Sequence, residues 1–359
     1  MPFFNREKEK KELKAILSGE PNVLWFIYGP INSGKTALIT QVCEELPEDY
    51  IIFYINFRGV ETRKYEDFVR ALFQPKDESF FQKLVKKTDI IEAALEYGEK
   101  LIKKINYHFE VPTRVLKLFF QPEPERDVFK YLEVLMKRLN EKGKKPALIF
   151  DELQMLKEVK KNGSVLHDLF NFLVRMTKET HLCHCLCATS DCIFIEEIYK
   201  NAHLEGRMKS FLVDDLSKEE AFKIYEAFDF EEKELIWDYI GGKIGDMVLV
   251  FEEKKRGWKE EKILKTMLKD TTERLDALLE EIEFGSVKIQ FKGREQTIEV
   301  NKVKEVLSLF KEKEEVSKRE IDPGYRNYLV NENVLFFDPM KGTVRPQGRL
   351  ILRAIREVV

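Results

Sequence analysis

The sequence lacks long apolar runs and a strong net charge of either sign. None of its 359 residues belongs to an uninterrupted apolar stretch of about 20 residues, the length that a membrane-spanning helix requires. The opening Met1-Pro2-Phe3-Phe4 runs directly into charged sequence, unlike a secretory leader. The net charge of −3 gives no chain-wide signature of nucleic-acid binding, so any such contact would have to be local. We therefore predict a cytoplasmic protein with no membrane partner.

The five cysteines are odd in number, and four of them crowd into one segment between Cys183 and Cys192. The spacing C-x-C-x-C would project three sulfurs from one face of a strand. A metal site formed by these thiols with His181 or His184 is an alternative, but this is not the spacing of zinc ligands. Buried free cysteine packs as a small apolar side chain, so we interpret the segment as a core strand with reduced thiols.

The most informative segment is Gly29-Pro30-Ile31-Asn32-Ser33-Gly34-Lys35-Thr36, which matches the phosphate-binding pattern GxxxxGK[ST]. The apolar run 23–28 leads in as a predicted buried strand, and a helix is predicted over 36–46. This strand–loop–helix context distinguishes a phosphate-binding loop from a chance match. Glycines let successive N–H groups point at phosphates, and the helix adds its positive N-terminal end. We predict that this loop, together with Ala37, binds nucleotide phosphates.

A pair of acidic residues is predicted to complete the site. A buried strand is predicted over 147–150, and Asp151 and Glu152 follow at its carboxyl end, the edge at which open α/β sheets bind ligands. We expect Lys35 to neutralise charge between the outer phosphates, and Thr36 and Asp151 to hold Mg²⁺. Glu152 is predicted to orient and deprotonate the attacking water. The alternative is a strand that ends in two acids by chance.

Strands and helices alternate through the first part of the chain, which predicts an α/β fold with a parallel sheet covered on both faces. Lys- and Glu-rich helical sequence over 74–126 interrupts the alternation as a helical insertion or lid. From Leu216 onward the chain becomes helical, and Ser217 to Glu220 form a predicted capping box.

The length suits two or three domains. The predicted strands are 23–28, 50–56, 147–150, 182–188 and 210–213, and helices are predicted among them over 65–73, 127–141, 164–179 and 192–201. The predicted domains are an ATPase core over 1–215, a helical lid over 216–285, and a hairpin that turns at Lys292-Gly293 plus a winged helix over 286–359.

Two further residues are candidates for sensing the terminal phosphate. Ser190 follows the cysteine-rich strand and would lie beside the γ-phosphate if that strand neighbours the Asp151 strand; the alternative is a strand-end turn or a helix N-cap. Arg207, which precedes the strand over 210–213, is a candidate arginine finger for its own site or for that of a neighbouring chain. An ordinary surface arginine is the alternative.

The C-terminal segment combines helices, a hairpin and an arginine-rich end. Helices are predicted over 302–311, 323–332 and 347–357, with hairpin strands over 334–337 and 343–345. This pattern suggests a winged helix. The mild excess of basic residues over 301–359 permits a DNA partner, and a protein-packing module is the alternative.

The motifs together resemble the archaeal ATPase family, a P-loop group related to AAA+ (ASCE-like) and STAND NTPases. The residues that carry the resemblance are Phe4-x-Arg6-Glu7-x-Glu9-x-x-x-Leu13, the loop over 29–36, the strand end Asp151-Glu152-Leu153-Gln154, Gly206-Arg207, Gly241-Gly242, and the ending Leu335-Phe336-Phe337-Asp338-Pro339 with Arg345-Pro346.

The resemblance implies an ATPase core, an α-helical lid and a C-terminal winged helix, with Arg6 near the nucleotide. It also implies that Gly206-Arg207 corresponds to a conserved pair before the last core strand. The family usually has a proline after the Gly-Gly pair, whereas Lys243-Ile244-Gly245 stands there in this chain.

Two functions therefore compete. The first is an Mg²⁺-dependent ATPase that changes conformation between its ATP and ADP states, with oligomer formation left open. The second is a DNA-binding regulator that uses ATP as a slow switch, through Arg345, Arg349, Arg353 and Arg356. A kinase is a weaker third reading because nothing marks a pocket for an acceptor substrate. ATP is favoured over GTP from the resemblance, since no convincing guanine-reading N/T-K-x-D motif follows the core strands.

Overall fold

A computed structural model gives the architecture of the chain. It describes residues 6–58, 65, 67–68, 72, 128–157, 159, 164–200, 204–291 and 293–359. The predicted insertion 74–126 and most of the predicted helix 65–73 lie outside the described residues. Within the described ranges, no helix is both long enough and apolar enough to cross a membrane.

Five parallel strands form the central sheet: β1 (Leu24–Tyr28), β2 (Tyr50–Asn56), β3 (Lys145–Asp151), β4 (His184–Thr189) and β5 (Met208–Leu212). Their order across the sheet is β2-β3-β4-β1-β5. β3 and β4 are neighbours, as the interpretation of Ser190 required. The predicted α/β parallel-sheet core is thus confirmed. The helices around these strands are α1 (Glu7–Ser18), α2 (Lys35–Glu44), α3 (Val128–Glu141), α4 (Val165–Val174) and α5 (Cys192–Tyr199).

Apolar residues cover both faces of this sheet, because successive side chains of a strand point to opposite faces. In β1, Phe26 packs into one hydrophobic cluster and its neighbour Ile27 packs into the other. Cys185 and Cys187 alternate in the same way with Leu186. The cysteines at 183, 185, 187 and 192 are free and buried, and no metal-binding cluster occurs among the described residues. Their interpretation as core side chains is confirmed.

Four helices follow the sheet: α6 (Lys218–Ala227), α7 (Lys233–Ile240), α8 (Ile244–Lys255) and α9 (Glu260–Gly285). The Ser217 hydroxyl accepts from the backbone of Glu220, whose carboxylate accepts in return, so the predicted capping box is confirmed. Gly242 packs directly on the backbone of Leu216, and an added Cβ would lie 1.8 Å from its carbonyl oxygen. This close approach brings the chain back beside Leu216, which follows the last strand of the sheet, before α8 begins.

The last part of the chain contains a two-stranded hairpin and a unit that packs against the core formed by the central sheet. The hairpin confirms the predicted turn near Gly293. The unit has the order helix, short strand, helix, two strands and helix; its identification as a winged helix remains a prediction. The elements are β6 (Lys288–Phe291), β7 (Arg294–Thr297), α10 (Val300–Ser308), β8 (Val316–Ser317), α11 (Pro323–Asn331), β9 (Leu335–Asp338), β10 (Thr343–Pro346) and α12 (Arg349–Val358).

Candidate active site at the carboxyl edge of the sheet

The glycine-rich loop connects β1 to α2 at the carboxyl edge of the sheet. An added Cβ at Gly29 would lie 2.1 Å from the Val213 carbonyl oxygen, so only glycine fits there. Gly34 caps α2 with a φ of 89° and Asn32 has a φ of 59°, a left-handed backbone that glycine and asparagine tolerate best. The loop therefore curls as a phosphate-binding loop must, with the N-terminus of α2 behind it.

Lys35 is buried within the curl of this loop. Its Nζ donates to the carbonyl oxygens of Gly29 and Pro30, at 3.1 and 2.8 Å. Burial lowers the pKa of Lys35 to about 8, and the nearby carboxylates of Glu152 and Asp151 oppose this shift. Lys35 therefore remains mostly charged at neutral pH, although it titrates more easily than an exposed lysine.

Thr36 and Asp151 are brought together, as the sequence predicted. The Thr36 hydroxyl donates to Asp151 Oδ2 at 2.7 Å, and the Tyr54 hydroxyl donates to the same oxygen at 2.6 Å. Burial and the adjacent carboxylate raise the pKa of Tyr54, which keeps the phenol protonated as a donor. A hydroxyl and a carboxylate beside a phosphate-binding loop are the oxygen ligands that Mg²⁺ prefers, so these residues fit that ion.

Glu152 follows Asp151 and is buried, with a left-handed φ of 58°. Its Oε1 accepts from the Arg58 guanidinium, and its Oε2 accepts from Gln154 Nε2 at 2.6 Å. The side-chain oxygen of Gln154, Oε1, accepts from the Thr189 hydroxyl at 2.7 Å. A chain of hydrogen bonds therefore links the candidate base to the ends of β2 and β4.

The polar group that joins this network from β4 is Thr189, one residue before the predicted sensor. Ser190 lies in the bend after β4, so the turn reading of this residue holds. The cap of α5 is Asp191, whose carboxylate accepts from the Phe194 N–H at 2.8 Å. The suggestion that Ser190 caps the helix is thus wrong by one residue. A sensing role for Ser190 remains a prediction.

Arg207 lies at the opposite edge of the sheet from the phosphate-binding loop. Its carbonyl oxygen accepts from the Leu24 N–H at 3.0 Å, which places it beside the first residue of β1. The loop begins after the last residue of that parallel strand, and strands rise about 3.3 Å per residue. The prediction that Arg207 reaches the phosphates of its own chain is therefore wrong. Its use by a neighbouring chain remains a prediction.

Arg6 supports the loop from outside. Its guanidinium is buried and donates to the carbonyl oxygens of Ser33 and Asp214, both at 2.6 Å, and to Glu9 at 2.6 Å. Arg6 itself has a left-handed φ of 63° before α1. The structure thus places Arg6 against the loop backbone, and its contact with a nucleotide remains a prediction.

The start of α8 also contacts the phosphate-binding loop. In the resemblance described above, a proline usually follows the Gly-Gly pair at this place. Buried Lys243 donates to the Ile31 carbonyl oxygen at 3.0 Å and to the Asp215 carboxylate at 3.3 Å. The Gly245 N–H donates to the Asn32 carbonyl oxygen at 3.1 Å. The Lys243-Ile244-Gly245 segment therefore contacts the loop, although the sequence departs here from the family pattern.

The C-terminal unit reaches the same loop from a third direction. The Tyr28 hydroxyl donates to Asp338 Oδ1 at 2.9 Å, and the Ile31 N–H donates to Gln347 Oε1 at 3.3 Å. Asp338 and Gln347 are both buried. The phosphate-binding loop is thus held jointly by the sheet, by α8 and by the C-terminal unit.

The four arginines considered for DNA contact are all engaged within the chain. Arg345 pairs with Asp214, and Arg353 pairs with Asp238. Arg349 lies 3.5 Å from the Glu314 carboxylate, and Arg356 Nε donates to the Phe310 carbonyl oxygen at 3.2 Å. These contacts stabilise the packing of the C-terminal unit rather than presenting free cations.

Two family models match the chain. Residues 3–250 match the family described as "ATPase domain predominantly from Archaea". Residues 261–359 match the family described as "Uncharacterized ATP-binding protein MJ1010-like, C-terminal domain".

Similar proteins span the full length of the chain. The Uncharacterized ATP-binding protein MJ0147 of Methanocaldococcus jannaschii is 41% identical over 371 residues, covering 100% of this chain and 98% of that protein. MJ0075 of the same organism, with the same description, is 38% identical over 370 residues, covering 100% and 99%. The fold is similar to the Walker-type ATPase PABY2304 of Pyrococcus abyssi, with a TM-score of 0.60, 16% identity, and coverage of 99% of this chain and 96% of that one.

Proposed function

Because this chain belongs to the family of ATPase domains found predominantly in Archaea, we propose that it binds ATP with Mg²⁺ and hydrolyses it to ADP and phosphate. The single observation that carries this proposal is the hydrogen bond of 2.7 Å between Thr36 and Asp151. It joins the phosphate-binding loop to the acidic strand end across the sheet. A nucleotide site needs both parts, one for phosphates and one for the metal.

The residues divide the chemistry between them. The loop amides over 29–37 and the charged Lys35 bind the phosphates, while Thr36 and Asp151 hold Mg²⁺, which neutralises charge on the phosphates when bound. Glu152 takes a proton from the attacking water as the water oxygen bonds to the γ-phosphorus. The bond from that phosphorus to the bridging oxygen breaks, and its electron pair leaves with ADP. Positioning and charge stabilisation supply most of the catalysis in such reactions.

Hydrolysis is proposed to drive a change of conformation. The loop carbonyls of Ile31 and Asn32 accept from Lys243 and Gly245 of the lid, and the Ile31 N–H donates to Gln347 of the C-terminal unit. A phosphate-binding loop that rearranges around phosphates would therefore move both the lid and the C-terminal unit. The pairing of Arg345 and Arg353 with carboxylates supports a packing role for the C-terminal unit over DNA binding.

Two substitutions test the proposed hydrolysis. Lys35→Ala is expected to abolish tight ATP binding, because it removes the buried charge of the loop. Glu152→Gln is expected to retain binding and lose turnover, because the amide cannot accept the proton. Equilibrium binding of a fluorescent ATP analogue and a steady-state phosphate-release assay separate the two effects. Equal turnover in the wild-type and Glu152→Gln proteins would refute the role of Glu152.

A further inference from the structure

We propose that Tyr54 is a positioning residue that orients the Asp151 carboxylate for Mg²⁺ and thereby sets the affinity of the site for the ion. The inference rests on the proposed function, since it concerns the metal of the same site. Its basis is the hydrogen bond of 2.6 Å that the Tyr54 hydroxyl donates to Asp151 Oδ2.

The pairing of β2 with β3 brings Tyr54 to the face of the sheet on which Asp151 lies. Tyr54 pairs with Ile149, and Asn56 pairs with Asp151. Because side chains alternate along a strand, Tyr54 and Asp151 share a face, with Tyr54 two residues nearer the amino end. The Tyr54 ring packs in the hydrophobic cluster that also contains Leu38 of α2. The core therefore holds the ring, and the ring directs its hydroxyl at the carboxylate.

Three donors engage the Asp151 carboxylate. The Glu152 N–H donates to Oδ1 at 3.0 Å, and the hydroxyls of Thr36 and Tyr54 both donate to Oδ2. The N–H belongs to the adjacent residue, so it restrains the carboxylate only locally. Thr36 is itself a proposed ligand of Mg²⁺. Tyr54 is thus the donor that orients the carboxylate from another strand without serving as a ligand.

Tyr54 and Thr36 approach Asp151 from opposite sides. β2 lies on one side of β3, whereas β4 and then β1, which leads to Thr36, lie on the other side. Thr36 is exposed, so water competes for its hydroxyl, whereas the Tyr54 ring is held in the hydrophobic cluster. Tyr54 is therefore the firmer of the two restraints. A carboxylate that is already oriented loses less freedom when it binds an ion.

The expected effect follows from the number of donors that remain. Removal of a group that supports a metal-binding carboxylate typically costs about 10- to 100-fold in metal affinity. Asp151 keeps two of its three donors in Tyr54→Phe, so we expect a loss of about tenfold. Binding of nucleotide without metal should not change, because it depends on the loop amides and on Lys35.

The test measures the affinity of the full-length protein for a fluorescent ATP analogue, first in EDTA and then in Mg²⁺. The ratio of the two affinities reports how strongly the ion and the nucleotide favour each other's binding. In Tyr54→Phe the affinity in EDTA is expected to equal that of the wild type, and the ratio is expected to fall about tenfold. The Mg²⁺ concentration for half-maximal turnover should rise by about the same factor, with kcat at saturating Mg²⁺ nearly unchanged.

The matched control is Tyr50→Phe on the same strand. Tyr50 is buried at the amino end of β2, and its hydroxyl donates to the Leu17 carbonyl oxygen at 3.0 Å. This variant also loses a tyrosine hydroxyl and its hydrogen bond, so any general effect of such a loss appears in it. Its affinity ratio should match that of the wild type, and thermal melting of both variants checks that the fold is retained.

The outcomes distinguish this inference from the proposed function. An unchanged ratio in Tyr54→Phe overturns the positioning role and leaves the proposed hydrolysis intact. A ratio that falls equally in Tyr50→Phe also overturns it, because the loss would then not depend on the contact with Asp151. A wild-type protein that binds no nucleotide in either condition overturns the proposed function itself, and this inference with it.

Discussion

At the scale of single residues, Lys35 has the most distinctive electrostatic environment in the site. It is buried by its own loop, and burial lowers its pKa to about 8. The buried charge of Lys243 acts in the same direction. The protonated form of Lys35 is therefore lost about two and a half pH units below that of an exposed lysine, which brings its titration within reach of neutral pH.

This titration predicts that ATP binding above pH 8 is accompanied by proton uptake. The phosphates favour the charged form of Lys35 and raise its pKa, so a lysine that has lost its proton regains it on binding. Affinity should accordingly fall as the pH rises through about 8. Calorimetry at pH 8.5 in two buffers of different ionisation enthalpy measures the uptake. In Lys35→Arg, which stays charged, the heat should be the same in both buffers. A buffer-independent heat in the wild type would contradict the prediction.

The sequence was sufficient to predict that Thr36 and Asp151 lie close together. Both follow buried strands of a parallel sheet, and the carboxyl ends of such strands meet at one edge. Tyr54, Gln154 and Thr189 were missed because they reach the site only through the strand order. Arg207 was misplaced although the sequence carried the signal, because a residue that directly precedes a parallel strand lies at the amino edge of the sheet, opposite the edge that binds ligands.

At the scale of elements, the contact between α8 and the phosphate-binding loop depends on a glycine inside the helix. An added Cβ at Gly245 would lie 2.6 Å from the Asn32 Cβ. Glycine ordinarily weakens a helix by about 1 kcal/mol relative to alanine. Its presence in the first turn of α8 therefore reflects the close approach of the loop.

We predict that Gly245→Ala lowers the free energy of unfolding despite its better helix propensity. Overpacking of a tight contact costs about 1–3 kcal/mol, which exceeds the gain of about 1 kcal/mol from alanine. Urea denaturation measures the difference. The matched control is Gly285→Ala at the end of α9, where the nearest atom to an added Cβ is Glu281 Cγ at 3.7 Å. The control should be neutral or slightly stabilising, and equal stability of the two variants would count against the contact.

Element types were predictable from periodicity, but their ends were not. The helix predicted over 347–357 begins at Arg349, because Gly348 is extended and Gln347 turns towards the phosphate-binding loop. The helix predicted over 164–179 ends at Val174 and continues as a π-helical turn. Within that turn the Thr177 hydroxyl donates to the Leu173 carbonyl oxygen at 2.9 Å. Such local bonds compete with helical ones and do not appear in an apolar pattern.

At the scale of the whole molecule, a buried ion pair joins the C-terminal unit to the sheet. Arg326 of α11 lies 2.7 Å from Glu196 of α5, and both side chains are largely buried. Arg326 also lies over the Phe337 ring, at 4.2 Å from its centroid. The unit therefore packs on the core through a charge pair that is shielded from water.

Arg326→Ala is predicted to lower the free energy of unfolding by about 1–3 kcal/mol, because it removes one partner of the Glu196 carboxylate, which Lys200 and Lys318 still face. Arg319→Ala, which removes an exposed arginine of the same unit, should change stability by less than about 0.5 kcal/mol. Urea denaturation followed by fluorescence compares the two variants. A loss as small as that of the control would mean that the unit does not depend on this pair.

The most direct measurement of the central claim is a crystal structure with a non-hydrolysable ATP analogue and Mn²⁺ in place of Mg²⁺. The account predicts phosphates against the amides of residues 29–37, with the anomalous signal of the ion between Thr36 and Asp151. A nucleotide bound elsewhere, or an ion away from those two side chains, would contradict it.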